Sequence, residues 1–281
     1  MITHMKSSGL VYVLILNYNS YCMTYKLVSS FKTNASKFKD IDLRFVVVDN
    51  DSSNQQCKQK LINILDDNDT IILLDQNNGY AIGNNIGLKY IYKSNGDYVL
   101  IMNPDICISE FNVISDLLNC IKEDNVLAAG PRINSVSPYY DRLSVFDYIL
   151  PFVSVFKRSS RGCLRGTYDV YKLYGCFMML DLNKFVDIGM FDDKTFLYFE
   201  EDIVAEKARN RGYIMRYLGN TSVIHNTSGV VDSEISIRKY YWMYKSCSYY
   251  LKKYRRFPFS KILSLNYSLY RFLADNLFAV K

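Results

Sequence analysis

The sequence predicts an α/β protein, a mostly parallel central sheet flanked by helices and followed by a C-terminal helical extension. Three observations carry this. Strand-length apolar runs alternate with stretches of helical length over about the first 130 residues. The runs are continuous rather than alternating, as expected of strands buried on both faces. The chain closes with a segment whose aromatic and basic residues recur at helical spacing.

The first strand is "LVYVLIL" (10–16) and the second "LRFVVV" (43–48), with a segment of helical length between them and another at about 54–67. "TIILLD" (70–75) makes a third strand, "GYAIGNNIGLKYIYKS" (79–94) a helix, and "DYVLIM" (97–102) a fourth strand. Glycines 79, 83 and 87 are four apart, so they share one helix face and allow close approach to a strand or a ligand. Residues 131–170 lose periodicity and predict a long connection or lid. "YKLYGCFMMLDLNKF" (171–185) predicts a strand and a helix start. "FLYFEEDIVAEKARNRGY" (196–213) predicts a helix with an acidic head, stopped by Gly212, and two short strands follow in "RYLG" and "SVIHN". From about 235 to 256, Ile237, Tyr240, Tyr241, Tyr244, Cys247, Leu251 and Tyr254 form a helical stripe. Arg238, Lys245 and Lys252 repeat at seven on the other side.

Composition narrows the classes. The longest apolar runs fall short of the roughly 20 residues of a membrane span, and "MITHMKSSG" is too polar for a signal peptide. Seven scattered cysteines (Cys22, Cys57, Cys107, Cys120, Cys163, Cys176, Cys247) contain no C-x-x-C pair, which predicts reduced thiols and a cytoplasmic location. The net charge of +6 is uneven: from Ser236 onward ten Lys and Arg face Asp275 alone, and the first 235 residues are slightly acidic. A basic helix with boundary aromatics suits contact with a membrane surface.

In parallel sheets ligands sit beyond the carboxyl ends of the strands. Those ends carry Asn17, Asp49, Asn50 and, after "DYVLIMNPD", Asp105, so Pro104 ends a strand and Asp105 is expected at a site. Glu200, Glu201 and Asp202 stand together at a helix start. They suit the helix dipole, and one of them suits a general base. His4 lies in the first few residues, whereas His225 stands at a strand end, where imidazole beside a carboxylate suits Mn2+ or a similar ion. Neither G-x-G-x-x-G nor the P-loop is present.

Together, "LILNYNS", "VVVDNDSSN", "NNGYAIGNNIG", "VLIMNPDI", "YGCFMMLDLNKFVDIGMFDDKTFLYFEEDI" and "VIHNTSG" resemble, in that order, the family-2 glycosyltransferases, in particular the rhamnosyltransferase-like branch of bacterial surface-polysaccharide synthesis. The resemblance spans about residues 10–230. It implies a GT-A fold over 1–235, with a Rossmann-like nucleotide-sugar half at 10–130 and an acceptor half at 131–235, leaving 236–281 as a basic aromatic helical extension. It implies donor contacts at Asn17, Tyr18, Asn19, Asp49, Asn50, Asn78, Gly79, Asn85, Asn103 and Asp105. Asp105 would hold a divalent ion, Mn2+ or Mg2+, with His225 completing the site, while Asn103 stands where the family places a first acid. The catalytic base falls on Glu201 or Asp202: counting back from "GY" selects the former, matching the letters E-D the latter.

The activity so implied is inverting transfer of a sugar, dTDP-rhamnose-like or UDP-linked, to a saccharide acceptor, lipid-linked in capsule or O-antigen synthesis, on the inner face of the plasma membrane. A degraded GT-A module that binds saccharide or nucleotide without turnover is the alternative. A nucleotide-sugar pyrophosphorylase would show a Gly-rich basic loop after its first strand, which "LNYNSYCM" does not. Nucleic acid is not an expected partner.

Overall fold

The computed structural model describes residues 9–38, 40–134, 138, 140–149, 164–226 and 237–278. His4, Cys163, residues 135–137, 139 and 150–163 of the expected lid, and residues 227–236 lie outside them.

Each apolar run becomes a strand, and each polar strand end is followed by a turn into a helix. The order is β1 (Gly9–Asn17), α1 (Tyr21–Thr33), β2 (Ile41–Asp49), α2 (Lys58–Ile62), β3 (Thr70–Leu73), α3 (Gly79–Lys93) and β4 (Tyr98–Met102). Then come β5 (Ile106–Cys107), α4 (Asn112–Ile121), β6 (Val126–Ile133), α5 (Phe146–Ile149), β7 (Thr167–Val170) and β8 (Phe177–Asp181). The chain continues through α6 (Leu182–Asp187), α7 (Glu200–Asn210), β9 (Ile214–His225), α8 (Ile237–Lys253) and α9 (Ser260–Phe278).

The strands form one curled sheet in the order β3-β2-β1-β4-β8-β6-β9-β5, with β7 added beside β9. It is parallel from β3 to β4 and again between β6 and β9; β8 enters antiparallel between them. The continuous apolar runs are explained by cover on both faces. Val11, Val13 and Ile15 of β1 pack with α1 and α4, whereas Tyr12 and Leu14 pack with α3, α6 and α7. The glycine face of α3 lies on β1: a Cβ at Gly87 would stand 2.3 Å from Leu14 Cδ1, and one at Gly83 2.5 Å from Leu16 Cδ1.

Several expectations change. "RYLG" and "SVIHN" are one strand, β9, continuous through a register shift against β6. The segment at 131–170 contains the end of β6, α5 and β7, whose short runs carry too few residues to show a period. The expected 54–67 helix shrinks to the five residues of α2. Cys22 and Cys57 form a disulfide rather than two thiols. Parallel pairing of β1 with β2, with Asn17 opposite Asp49, brings the two following loops to one edge; a 35-residue separation in sequence hides this proximity. The cysteines therefore no longer argue for a reducing compartment.

The C-terminal helices pack back onto the domain. Phe199 and Ile203 of the α7 region, Tyr148 of α5, Met243, Cys247 and Tyr250 of α8, and Leu263 of α9 share one apolar cluster. The buried stripe of α8 is rotated from the expected one: Met243 and Tyr250 are inside, while Ile237 and Tyr241 face solvent.

Candidate active site

The carboxyl ends of β1 and β2 meet in one polar cluster. Asn17 is fully buried. Its amide donates to Asp49 Oδ1 at 2.8 Å and Ser52 Oγ at 3.1 Å, and its carbonyl oxygen accepts from Thr24 Oγ1 at 2.7 Å and Ser20 Oγ at 3.1 Å. All four positions of that amide are filled, so Asn17 ties the loops together instead of presenting itself to a ligand. Asp49 is likewise buried, held by Asn17 and by the hydroxyl and N–H of Ser52. Asn19, left-handed at φ 52°, donates its N–H to Ser52 Oγ at 2.8 Å and accepts from the Asn54 N–H at 2.9 Å. Tyr18 is exposed beside it.

Asn50 organises the approach to α3. Its side chain donates to Asn77 Oδ1 and the Gly79 carbonyl and accepts from the Asn78 N–H. Gly79 takes φ 77°, and a Cβ there would stand 2.3 Å from the Phe196 carbonyl oxygen. Only glycine allows this approach. Asn85 is engaged within the protein. Its amide donates to the Phe191 carbonyl at 3.0 Å and Asp193 Oδ1 at 2.6 Å, and it accepts from the Phe191 N–H, so it joins α3 to the 191–193 loop.

A cleft of about 330 Å3 opens near these strand ends, lined among others by Tyr80, Asn103, Gly175, Glu200, Glu201 and His225. Pairing of β5 with β9 sets Ile106 opposite His225, and this brings His225 Nε2 to 3.1 Å from Asp105 Oδ2. The His225 backbone is pinned by Asn134 through two hydrogen bonds of 3.0 Å. Asp105 Oδ1 is buried without a hydrogen-bond partner among the described residues. No group of three or more His, Cys, Asp or Glu converges on a metal position among them. One carboxylate with an orphaned oxygen and one imidazole fit a divalent ion that draws its remaining ligands from a diphosphate and water.

The acidic head of α7 is aimed by strain. Tyr198 and Phe199 both adopt left-handed backbone, at φ 73° and 68°, each costing roughly 1–2 kcal/mol in a non-glycine residue. Packing holds them there: Phe199 is buried against Tyr250, Ser246 Oγ donates to the Leu197 carbonyl at 2.8 Å, and Phe196 stacks on Trp242 at 4.4 Å. Glu200 and Glu201 thereby reach the cleft. Asp202 does not: it is buried and ion-paired with Lys172. Successive helical positions differ by about 100°, so three adjacent acids cannot share one target.

Glu201 Oε1 accepts from the Gly175 N–H at 3.1 Å, and Tyr80 OH donates to the Gly175 carbonyl at 2.8 Å. Glu200 is buried, and its Oε1 has no partner among the described residues. Burial, and then the nearby Glu201, push its carboxyl well above the usual range. Burial, then Glu201 and Asp105, push the Cys176 thiol up to about 12, leaving it neutral in the cleft.

Apart from Asn78 and Gly79 at the start of α3 and Asp202 on Lys172, the expected site residues divide into three groups. Tyr18 and Asn19 belong to the β1 edge; Asn103, Glu201 and the Asp105–His225 pair belong to the cleft; Asn17, Asp49, Asn50 and Asn85 brace the loops. Ser52, Tyr80, Gly175 and Lys172 were not among the expected residues. Ser52 had a signal, as the first serine after "DND"; the other three are defined by contacts between distant segments.

Residues 12–187 match Glycosyl transferase family 2, and the chain belongs to that family. It is 27% identical over 213 residues to the low-salt glycan biosynthesis hexosyltransferase Agl10 of Haloferax volcanii, covering 73% of this chain and 65% of that protein. The chain therefore spans less than two thirds of that relative's length. GalNAc-T7, solved with UDP, GalNAc and Mn2+, superposes with a TM-score of 0.60 at 15% identity, covering 94% of this chain and 54% of that one. The mannosyltransferase PcManGT of Pyrobaculum calidifontis, in complex with GDP-Man and Mn2+, gives 0.57 at 16% identity over 92% and 69%. S. aureus TarS 1–349 with UDP-GlcNAc gives 0.54 at 18% over 86% and 66%. The fold is GT-A.

Proposed function

We propose that the protein transfers a sugar from a nucleoside-diphosphate donor to an acceptor hydroxyl with inversion at the anomeric carbon. The observation that carries this reading is that Glu201 lines the same cleft as His225, the partner of Asp105, while Asp202 is committed to Lys172. The nucleotide sugars and Mn2+ bound by the structural neighbours support the donor class and a divalent ion.

In this mechanism the loops braced by Asn17, Asp49, Ser52 and Asn50 hold the nucleoside, with Tyr18 and Asn19 at its edge. Asn78, Gly79 and Asn103 border the sugar diphosphate. Glu201, oriented by the Gly175 N–H, takes the proton from the acceptor hydroxyl as it attacks, a contribution worth roughly 10²- to 10⁴-fold in rate. Burial and the charge of Glu201 raise the Glu200 carboxyl, which favours its neutral form beside the base. Asp105 and His225 would hold a divalent ion, Mn2+ or Mg2+, which when bound neutralises charge on the departing diphosphate.

The donor is a dTDP-linked deoxysugar or a UDP-sugar, and the acceptor is a saccharide on a lipid carrier in surface-polysaccharide synthesis. The first 235 residues hold the catalytic machinery, and the rest forms a basic extension in contact with the inner face of the membrane. The hexosyltransferase in glycan biosynthesis among the relatives supports the transfer class.

A second reading, a saccharide- or nucleotide-binding module without turnover, draws on Asn103 standing where the family has an acid. The test is thermal stability against UDP-, dTDP- and GDP-sugars with Mn2+ or with EDTA, followed by turnover with acceptor. A ligand at about 100 times its dissociation constant adds about 2.7 kcal/mol to the native state. A metal-dependent shift with one nucleotide class and release of its diphosphate supports transfer. A shift without turnover of any donor supports the binding module, and no shift with any donor counts against both.

A further inference from the structure

α9 has two unlike faces. One carries Ser260, Leu263, Ser264 and Ser268, all buried. Ser264 satisfies its own hydroxyl by donating to the Ser260 carbonyl at 2.7 Å, and the small side chains allow close helix packing. The other face carries Ile262, Leu265, Leu269 and Leu273, which are 60, 58, 54 and 49% exposed. Their spacing of three and four residues makes a continuous stripe. Phe259 opens the stripe, 63% exposed. At its far end Phe272 meets Tyr240 of α8 at 5.2 Å, and Ile237, one turn earlier on α8, is the most exposed large apolar residue described. The apolar surface therefore runs along the α8–α9 hairpin, and a contiguous strip of this kind marks an interaction site.

Charge selects the occupant. Arg238, Lys245, Lys252, Arg256 and Lys261 are exposed on the same hairpin, in a segment with ten cations and Asp275 as its only acid. A second copy meeting the first through this face would bring two sets of like charge together. A nucleic acid would take the cations and leave the leucines in water. An anionic bilayer surface accommodates both, with leucines at the headgroup boundary and cations among the phosphates. No described helix is long and apolar enough to cross a membrane.

We infer that the apolar stripe of α9, together with the exposed cations of the hairpin, docks the protein on an anionic lipid surface. α8 then couples the docked face to the cleft, because Trp242 and Ser246 hold the 196–199 turn that aims Glu200 and Glu201. This deepens the reading of a lipid-carried acceptor, but docking itself does not rest on transfer.

The test is cosedimentation of the full chain with phosphatidylglycerol–phosphatidylcholine vesicles, without donor or acceptor, against pure phosphatidylcholine. The variants are Leu265→Ser with Leu269→Ser, and Lys252→Gln with Arg256→Gln and Lys261→Gln. All five positions are exposed, so unchanged melting temperatures are expected. Docking predicts binding to the anionic vesicles and at least a tenfold loss for each variant and for neutral vesicles. Absence of binding to anionic vesicles, or undiminished binding by the leucine variant, overturns it. So does a dimer by light scattering that the leucine variant dissociates, which would give the face to a second copy. With no sugar donor in the assay, any of these results leaves the transfer reading standing.

Discussion

Glu201 and Gly175, 26 positions apart, are joined by a hydrogen bond of 3.1 Å from the glycine N–H to Glu201 Oε1. A Cβ at position 175 would stand 2.8 Å from that same oxygen and 3.0 Å from Tyr80 OH. Both obstacles are ends of side chains, so Gly175→Ala can fold by displacing them. The expected outcome is a lowered kcat with little change in melting temperature. Glu201→Gln keeps the shape and loses the base, with a fall of roughly 10²- to 10⁴-fold. Steady-state kinetics of both variants with one donor and acceptor check this; full activity in Glu201→Gln would remove Glu201 from the mechanism.

The neighbouring acid separates on stability. Asp202 and Lys172 have side chains only 6 and 13% exposed, and removing one partner of a buried pair strands the other charge at a cost of about 3–5 kcal/mol. Lys172→Met is expected to unfold at markedly lower denaturant, whereas Lys172→Met with Asp202→Leu recovers much of the loss. Urea denaturation of the three chains measures this. If Asp202 were instead the base, the double variant would be well folded yet inactive while Glu201→Gln retained activity.

Much of the fold was legible because it depends on local pattern. The runs at 10–16 and 43–48 are apolar on both faces, and Gly83 and Gly87 lie one turn apart, so sequence spacing alone places α3 against a strand. The strand-end polar residues were legible as a group, but their division of labour was not. Asn17 and Tyr18 are adjacent, yet one is sealed by four hydrogen bonds and the other is exposed, a difference set by Thr24 and Ser52 arriving from elsewhere. The choice between Glu201 and Asp202 was hidden for the same reason: it depends on Lys172 and Gly175, which reach α7 through the sheet.

Glu200 gives the protein a pH signature. Burial and the charge of Glu201 raise its carboxyl above the ordinary value of 4.5. A raised acid binds its proton more tightly in the folded state, so its stabilising contribution is complete below 4.5 and is lost as pH climbs toward the folded value. The melting temperature of the wild type is therefore expected to carry a component that declines as pH rises above 4.5. Glu200→Gln, neutral and of similar shape, should flatten that component and melt higher than wild type in mildly alkaline buffer. Parallel thermal melts from pH 4 to 9 test it, and identical pH profiles for the two chains would contradict it.

The disulfide between Cys22 and Cys57 ties the start of α1 to the loop after β2, and both lie within a few residues of the Asn17–Asp49–Ser52 cluster. A cross-link spanning 35 residues removes chain entropy worth about 3–4 kcal/mol in the loop-closure account. Reduction, or Cys22→Ser with Cys57→Ser, is expected to lower stability by up to that amount. It should also weaken binding of the nucleoside diphosphate more than binding of acceptor, because Asn19 and Asn54 are hydrogen-bonded across the same two loops. Melting temperature and nucleotide affinity, measured with and without reductant in wild type and double variant, separate the effects. Reductant should change the wild type and leave the double variant unaltered. If nucleotide affinity is the same in all four conditions, the cross-link serves stability alone and the two loops hold their polar cluster without it.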